Sequence, residues 1–237
     1  MVNANASAAW IDALEALIGA WPDTVVIAGP GSTDLAAGCR RAGAPPIAAE
    51  GSGLVLLSHA DAPPSPAAVA DLPRDWAGLL VLRSAWRHRT EVGPSLRAAA
   101  RVLRAGGRIL AGEMDVARLM ETSAVRYPSR LLFSTRPDLA AEVRATTIGR
   151  AMLSAETVRA GFGDVDVVNL EEERGAFPSA DAYWDYARSG GWPTLEWLSP
   201  GDAERAVEAA ADDLTRIAPL GPVVDRVPFV ATTGIRR

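Results

Sequence analysis

Lysine is absent from the chain, so all 24 basic residues are arginine. Schiff-base chemistry therefore has no amine to work with. One cysteine, Cys39, excludes an internal disulfide framework, and two histidines, His59 and His88, leave little for a zinc site. No metal is expected. No apolar run approaches the roughly 18 to 20 residues of a membrane span. The opening residues, Met1-Val-Asn-Ala-Asn-Ala-Ser, lack a basic segment, and Asp12 and Glu15 interrupt the apolar residues after them, so the N-terminus does not read as a secretory signal. A cytoplasmic protein with no membrane partner is expected. The net charge of −5 argues against the basic face of a general nucleic-acid binder.

What is present is a chain of 237 residues, 49% of them hydrophobic. That suits one α/β domain with a modest insertion and a sizeable core. Its organising stretch is Asp23-Thr-Val-Val-Ile-Ala-Gly29-Pro-Gly31-Ser-Thr33-Asp-Leu-Ala-Ala-Gly38. Thr24 to Ala28 reads as a buried strand. Gly29 and Gly31 punctuate its end, and Ser32, Thr33 and Asp34 are N-cap candidates for a helix from about Ser32 to Arg41. A strand, a glycine turn and a helix N-terminus form a corner in which backbone N–H groups can approach a nucleotide. The dinucleotide fingerprint Gly-x-Gly-x-x-Gly is broken here, because Asp34 stands at its third glycine.

Along the rest of the chain, Trp10, Ile11, Leu14, Leu17, Ile18 and Trp21 make one helical stripe that ends at Pro22. Two readings of the next stretch are open. A second strand ending at Glu50 would set a carboxylate 21 residues after Gly29, suited to two ribose hydroxyls. Alternatively, Leu54–Leu57 is itself the second strand, because too few residues separate Glu50 from it for a crossover. Gly78 to Arg83 is a buried strand whose C-terminal edge carries Ser84, Trp86 and His88. A helix from Glu91 to Arg104 ends at Gly106-Gly107, and Arg108 to Glu113 resumes as a strand. Arg97, Arg101, Arg104 and Arg108 form a stripe read as a solvated face or a contact for an anion.

Two segments then carry a resemblance: Leu72-Pro-Arg-Asp-Trp-Ala-Gly-Leu-Leu-Val81, and Leu96-Arg-Ala-Ala-Ala-Arg-Val-Leu-Arg-Ala-Gly-Gly-Arg-Ile-Leu110. They resemble the middle of a class I SAM-dependent methyltransferase, with Ala105 where that family usually has proline. Leu153 to Val168, and Phe177 to Thr233, are similar to its later helix, sixth strand, helical insertion and last strand. The resemblance implies a doubly wound, Rossmann-like α/β fold. Its seven-stranded, mostly parallel sheet would have an antiparallel last strand and a helical insertion before it. One domain would span 1–237, with an N-terminal helix at 1–22, a core at 23–170, an insertion or lid at 171–222 and the last strand at 223–237.

By the same resemblance, Gly29, Gly31 and Thr33 would line the methionyl part of the cofactor, S-adenosyl-L-methionine. Glu50 would hold its ribose, and Asp61 would meet its adenine amino group. Trp86 would border the methyl-transfer site, and His88 is the candidate base ahead of His59. Tyr183, Trp184, Tyr186, Trp192 and Trp197 put five aromatics within fifteen residues. They would form a lid over a small-molecule acceptor, pack the insertion, or make a homodimer contact. The chain also departs from the family pattern. Ile27 stands where the motif's first acid belongs, and Thr33 adds a side chain where the last glycine belongs. Those departures support a second reading, an inactive methyltransferase-fold subunit that binds and supports a methyltransferase-like partner.

Overall fold

The computed structural model describes residues 8–29, 32–45, 54–57, 69–84, 86, 89–123, 125–191, 199–217 and 222–237. The chain divides into two compact units. Among the described residues, the first comprises those within 8–115, 146–172 and 228–237, and the second those within 116–145 and 173–227. Residues 116–145 thus group with the region expected as the insertion.

The first unit is built on the strands β1 (Val25–Ala28), β2 (Leu54–Leu57), β3 (Ala77–Arg83) and β4 (Leu103–Met114). It also takes in parts of β5 (Phe162–Phe177) and β6 (Val223–Arg236). Six strands are found among the described residues, in the order β2-β1-β3-β4-β6-β5. The first four are mutually parallel and β6 runs antiparallel to β4. The mixed α/β sheet and its antiparallel last strand match expectation. A count of seven is not reached among the described residues. Leu54–Leu57 pairs directly with β1, Val25 opposite Leu54 and Ala28 opposite Leu57. Of the two readings of that region, the one with Leu54–Leu57 as second strand therefore holds.

Short β-branched and leucine-rich runs give strands buried on both faces, as a parallel sheet needs. Val26, Ala28, Leu80, Leu82, Ile109 and Ala111 share one apolar cluster with Val92, Leu96 and Ala99 of α3 (Arg89–Val102). Leu153 of α7 (Arg150–Arg159) joins the same cluster. The alternate residues Val25, Ile27, Leu79, Val81 and Leu110 are equally buried and point the other way. On that side lie α1 (Ala8–Ile18) and α2 (Ser32–Arg41), which touch each other, β1 and β4. Trp10 of α1 meets Phe229 edge-on, with ring centroids 5.5 Å apart. Each such fully buried side chain contributes about 1.5–3 kcal/mol.

The second unit is helical for the most part: α4 (Val116–Glu121), α5 (Arg130–Thr135), α6 (Pro137–Thr146), α8 (Ala180–Tyr186) with a π-helical turn at Ala187–Gly191, and α9 (Pro200–Ile217). The amphipathic α9 buries Ala206, Val207, Ala210 and Leu214 and packs on α5 and α8. Among the described residues, no helix is long and apolar enough to cross a membrane.

Candidate functional site

The glycine turn begins where β1 runs out. Gly29 holds φ +127°, and a Cβ placed there would lie 1.7 Å from the backbone carbonyl oxygen of Arg83. Only glycine lets the ends of β1 and β3 approach this closely. Ser32 then opens α2, and both its N–H (3.3 Å) and its hydroxyl donate to the Gly29 carbonyl. Strand order reverses at β1, since β2 pairs on one side of it and β3 on the other. In open α/β sheets that crevice, at the carboxyl ends of the strands, is where ligands bind.

Four polar side chains gather along the same edge. Arg83, at the end of β3, grips Glu172 of β5 through Nε–Oε2 (3.1 Å), Nη2–Oε1 (2.5 Å) and Nη2–Oε2 (2.6 Å). Its guanidinium also lies 5.8 Å from the Phe229 ring centroid. Ser84 comes next, in the left-handed region at φ +44°, its N–H donating to Gly112 O at 2.9 Å. Its side chain hydrogen-bonds the carboxylate of Glu113, on the neighbouring strand β4. Glu113 Oε1 accepts from the Met114 N–H at 3.1 Å. Glu113 Oε2 is buried and has no hydrogen-bond partner among the described residues. Burial pushes the Glu113 carboxyl up to about 7, against the opposing pull of the Met114 N–H, the Ser84 hydroxyl and the Arg83 charge.

Elsewhere the chemistry is quieter. The Cys39 thiol is buried in α2, and desolvation pushes it up to about 12, so it is inert as a nucleophile. Two open cavities, of about 350 and 360 Å³, are both lined by Gly161 and Arg237. Arg237 lies just past the end of β6, whose Ile235 pairs with Arg108 well upstream of Met114 on β4. Those cavities therefore lie away from the glycine turn, toward the opposite edge of the sheet.

Similar structures share the topology. A candidate methyltransferase of an antibiotic biosynthesis pathway from Anabaena variabilis superposes with a TM-score of 0.59, covering 97% of this chain and 98% of that one at 13% identity. The fold is that of the class I SAM-dependent methyltransferases. A geranyl diphosphate C-methyltransferase from Streptomyces coelicolor is more distant, with a TM-score of 0.44 at 12% identity over 97% of this chain and 79% of that one. No family model matches the sequence, and no curated protein matches it significantly.

Within this methyltransferase fold the expected site residues separate into three groups. Gly29 sits at the turn as expected, with Thr33 exposed in the first turn of α2. Gly31, Glu50, Asp61, His59 and His88 lie outside the described residues. Trp86, Tyr183 and Trp184 are core residues. Trp86 is 6% exposed and packs in the apolar cluster beneath α3. Tyr183 and Trp184 are buried in the second unit, where Tyr183 meets the rings of Trp184 and Phe177 edge-on at 4.7 and 5.4 Å. For these two, burial fits the packing reading of the aromatic segment. Sequence reasoning placed Ser84 at this edge but passed over Arg83, Glu113 and Glu172. The available signal was a charged residue closing each of two apolar strands, at Arg83 and Glu113. Glu172 carried no local signal.

Proposed function

We propose that the protein is a SAM-dependent methyltransferase acting on a small molecule. The observation that carries this reading is the close approach of Gly29 to the Arg83 carbonyl at the point where strand order reverses. It leaves no room for a Cβ at Gly29 and so brings the ends of β1 and β3 together beside the N-terminus of α2. On the same edge Glu113 Oε2 is buried without a hydrogen-bond partner among the described residues, a polar atom free to meet a ligand. Both features suit a cofactor with a charged methionyl end. Gly29, Gly31 and Thr33 would hold that end. Glu50 precedes the second strand, Leu54–Leu57, instead of ending it, and so loses the position its ribose role requires. Asp61 likewise loses the place after a third strand that its adenine role requires. When bound, SAM supplies an electrophilic methyl group. The chain's own contribution is to position an acceptor in line with it and to take up the acceptor's proton, for which His88 is the candidate. Such chemistry depends on orientation more than on a strong catalytic group.

One observation favours the second reading, a methyltransferase-fold subunit supporting a partner enzyme. Ile27, at the position of the family's first motif acid, is fully buried among apolar side chains. Titration calorimetry with SAM and with S-adenosylhomocysteine separates the two. Micromolar binding is expected. No binding up to millimolar concentration would overturn the stand-alone enzyme and leave the supporting subunit, whose test is a co-purifying methyltransferase-like partner.

A further inference from the structure

Glu113 is an unusual residue to find closing an apolar strand. Leu110 and Ala111 just before it are fully buried, and its partner across the β4–β6 ladder is Val230. Its Oε1 is satisfied by the Met114 N–H, yet Oε2 is buried with no partner among the described residues. The nearby cation, Arg83, acts on it only through its charge. Arg83 has its guanidinium committed to both oxygens of Glu172, a carboxylate only 1% exposed. Among the described residues, the charged groups near Glu113 are Arg83 from β3 with its partner Glu172 from β5, and Asp115 two residues along its own chain. The β6 side contributes the uncharged Val230 and Phe229. Among the described residues Arg83 is the cation whose charge acts on Glu113, and it does not outweigh the desolvation of the carboxylate.

The geometry connects it to the glycine turn. Gly29 presses on the Arg83 carbonyl, Ser84 is the next residue, and the Ser84 side chain reaches Glu113. The ends of β1, β3 and β4 are therefore linked by a short chain of contacts. Ser84 stays in a backbone region unfavourable for a residue with a side chain, and strain of that kind clusters at ligand sites.

We propose that the Glu113 carboxylate is the anion that receives a positive charge of SAM, its ammonium or its sulfonium, at the carboxyl edge of β3 and β4. This rests on the SAM reading above. SAM carries two cationic centres, while the residue that would supply the acid before the glycine turn is the aliphatic Ile27. Glu113 supplies the missing charge from two strands away. Because burial holds its carboxyl near neutrality, the free protein carries Glu113 partly protonated, and a bound cation drives the proton off.

The test is calorimetric titration of the full chain with SAM between about pH 5.5 and 8.5, in two buffers of different ionisation enthalpy. Affinity is expected to rise about tenfold per pH unit below about pH 7 and to level off above it, with close to one proton released per SAM bound at low pH. Glu113→Gln, checked for native circular dichroism, should lose both the slope and the proton release, and Glu113→Asp should restore them. S-adenosylhomocysteine keeps the ammonium and lacks the sulfonium. A slope with it assigns the contact to the ammonium, its absence to the sulfonium, and either supports the proposal. Binding of SAM without a pH slope, or a slope that survives in Glu113→Gln, would overturn it while leaving the cofactor reading intact. Absence of SAM binding at every pH overturns both.

Discussion

Arg83 and Glu172 join across 89 residues of sequence, with Nη2 of the arginine 2.5 and 2.6 Å from the two carboxylate oxygens. The pair is nearly dry, the side chains being 12% and 1% exposed. Removing one partner of such a pair leaves the other charge uncompensated. Glu172→Ala is expected to cost about 3–5 kcal/mol, measured by urea unfolding. The pair also decides which carboxylate Arg83 serves, and so leaves Glu113 with the weaker share of its charge.

Glu113 gives the apo protein a pH dependence of definite sign. Its folded-state value of about 7 lies above the ordinary 4.5, so between those values the native state binds more protons than the unfolded chain. Stability from this group therefore falls as pH rises through that window and is constant above it. At pH 8, Glu113→Gln should be more stable than the wild type by about 1–3 kcal/mol, and the difference should shrink toward pH 5. Thermal melts of both proteins across this range check it. A wild type no less stable at pH 8 than its variant would contradict the burial of this carboxylate.

Gly29→Ala should be severely destabilising, by about 3 kcal/mol or more, because the new Cβ meets a backbone carbonyl and sits at an unfavourable φ. Gly201→Ala, in the first turn of α9, is the control. Its nearest neighbour is Arg205 Nη1 at 3.6 Å, an ordinary contact, and the change should be neutral or stabilising by up to about 1 kcal/mol. Denaturant midpoints compare the two.

Tyr183 and Trp184 should behave as core residues. Trp184→Ala is expected to cost about 3–5 kcal/mol. Tyr183→Phe, which removes a 3.4 Å hydrogen bond to Asp225, should cost about 1 kcal/mol. SAM affinity measured on the folded fraction should stay unchanged in both. A large loss of affinity with little loss of stability would restore the lid reading for these two residues.

Cys39 should be silent toward thiol reagents in the native state, since its thiol is fully buried and held near 12. Its labelling rate then reports opening of the α2 region. Rapid modification under native conditions would show that α2 opens readily.

The fold was legible wherever residues of one element declare that element. The run of Ser32, Leu35 and Ala36 outlined α2, and the leucine-rich stretch after Gly78 outlined β3, because capping and apolar runs act within a few residues. The boundary between α3 and β4 was misread. Gly106-Gly107 looked like the helix end, but α3 stops at Val102 and Leu103 already pairs with Ala77. A register shift between Ala77 and Leu79 admits those extra residues to the ladder, and no local pattern announces it.

By itself the sequence determined the layered α/β class, the parallel core and the glycine corner. Each depends on periodicity or on backbone freedom within a few neighbouring residues. It also determined that no lysine, disulfide framework or long apolar span is available. Only the tertiary structure decided that Leu54–Leu57 lies beside β1, that the predicted aromatics Trp86, Tyr183 and Trp184 are core, and that Arg83, Ser84, Glu113 and Glu172 meet at one edge. Strand pairing joins residues tens of positions apart, and burial then pushes the Glu113 carboxyl up. Neither effect is written in any short stretch of the chain.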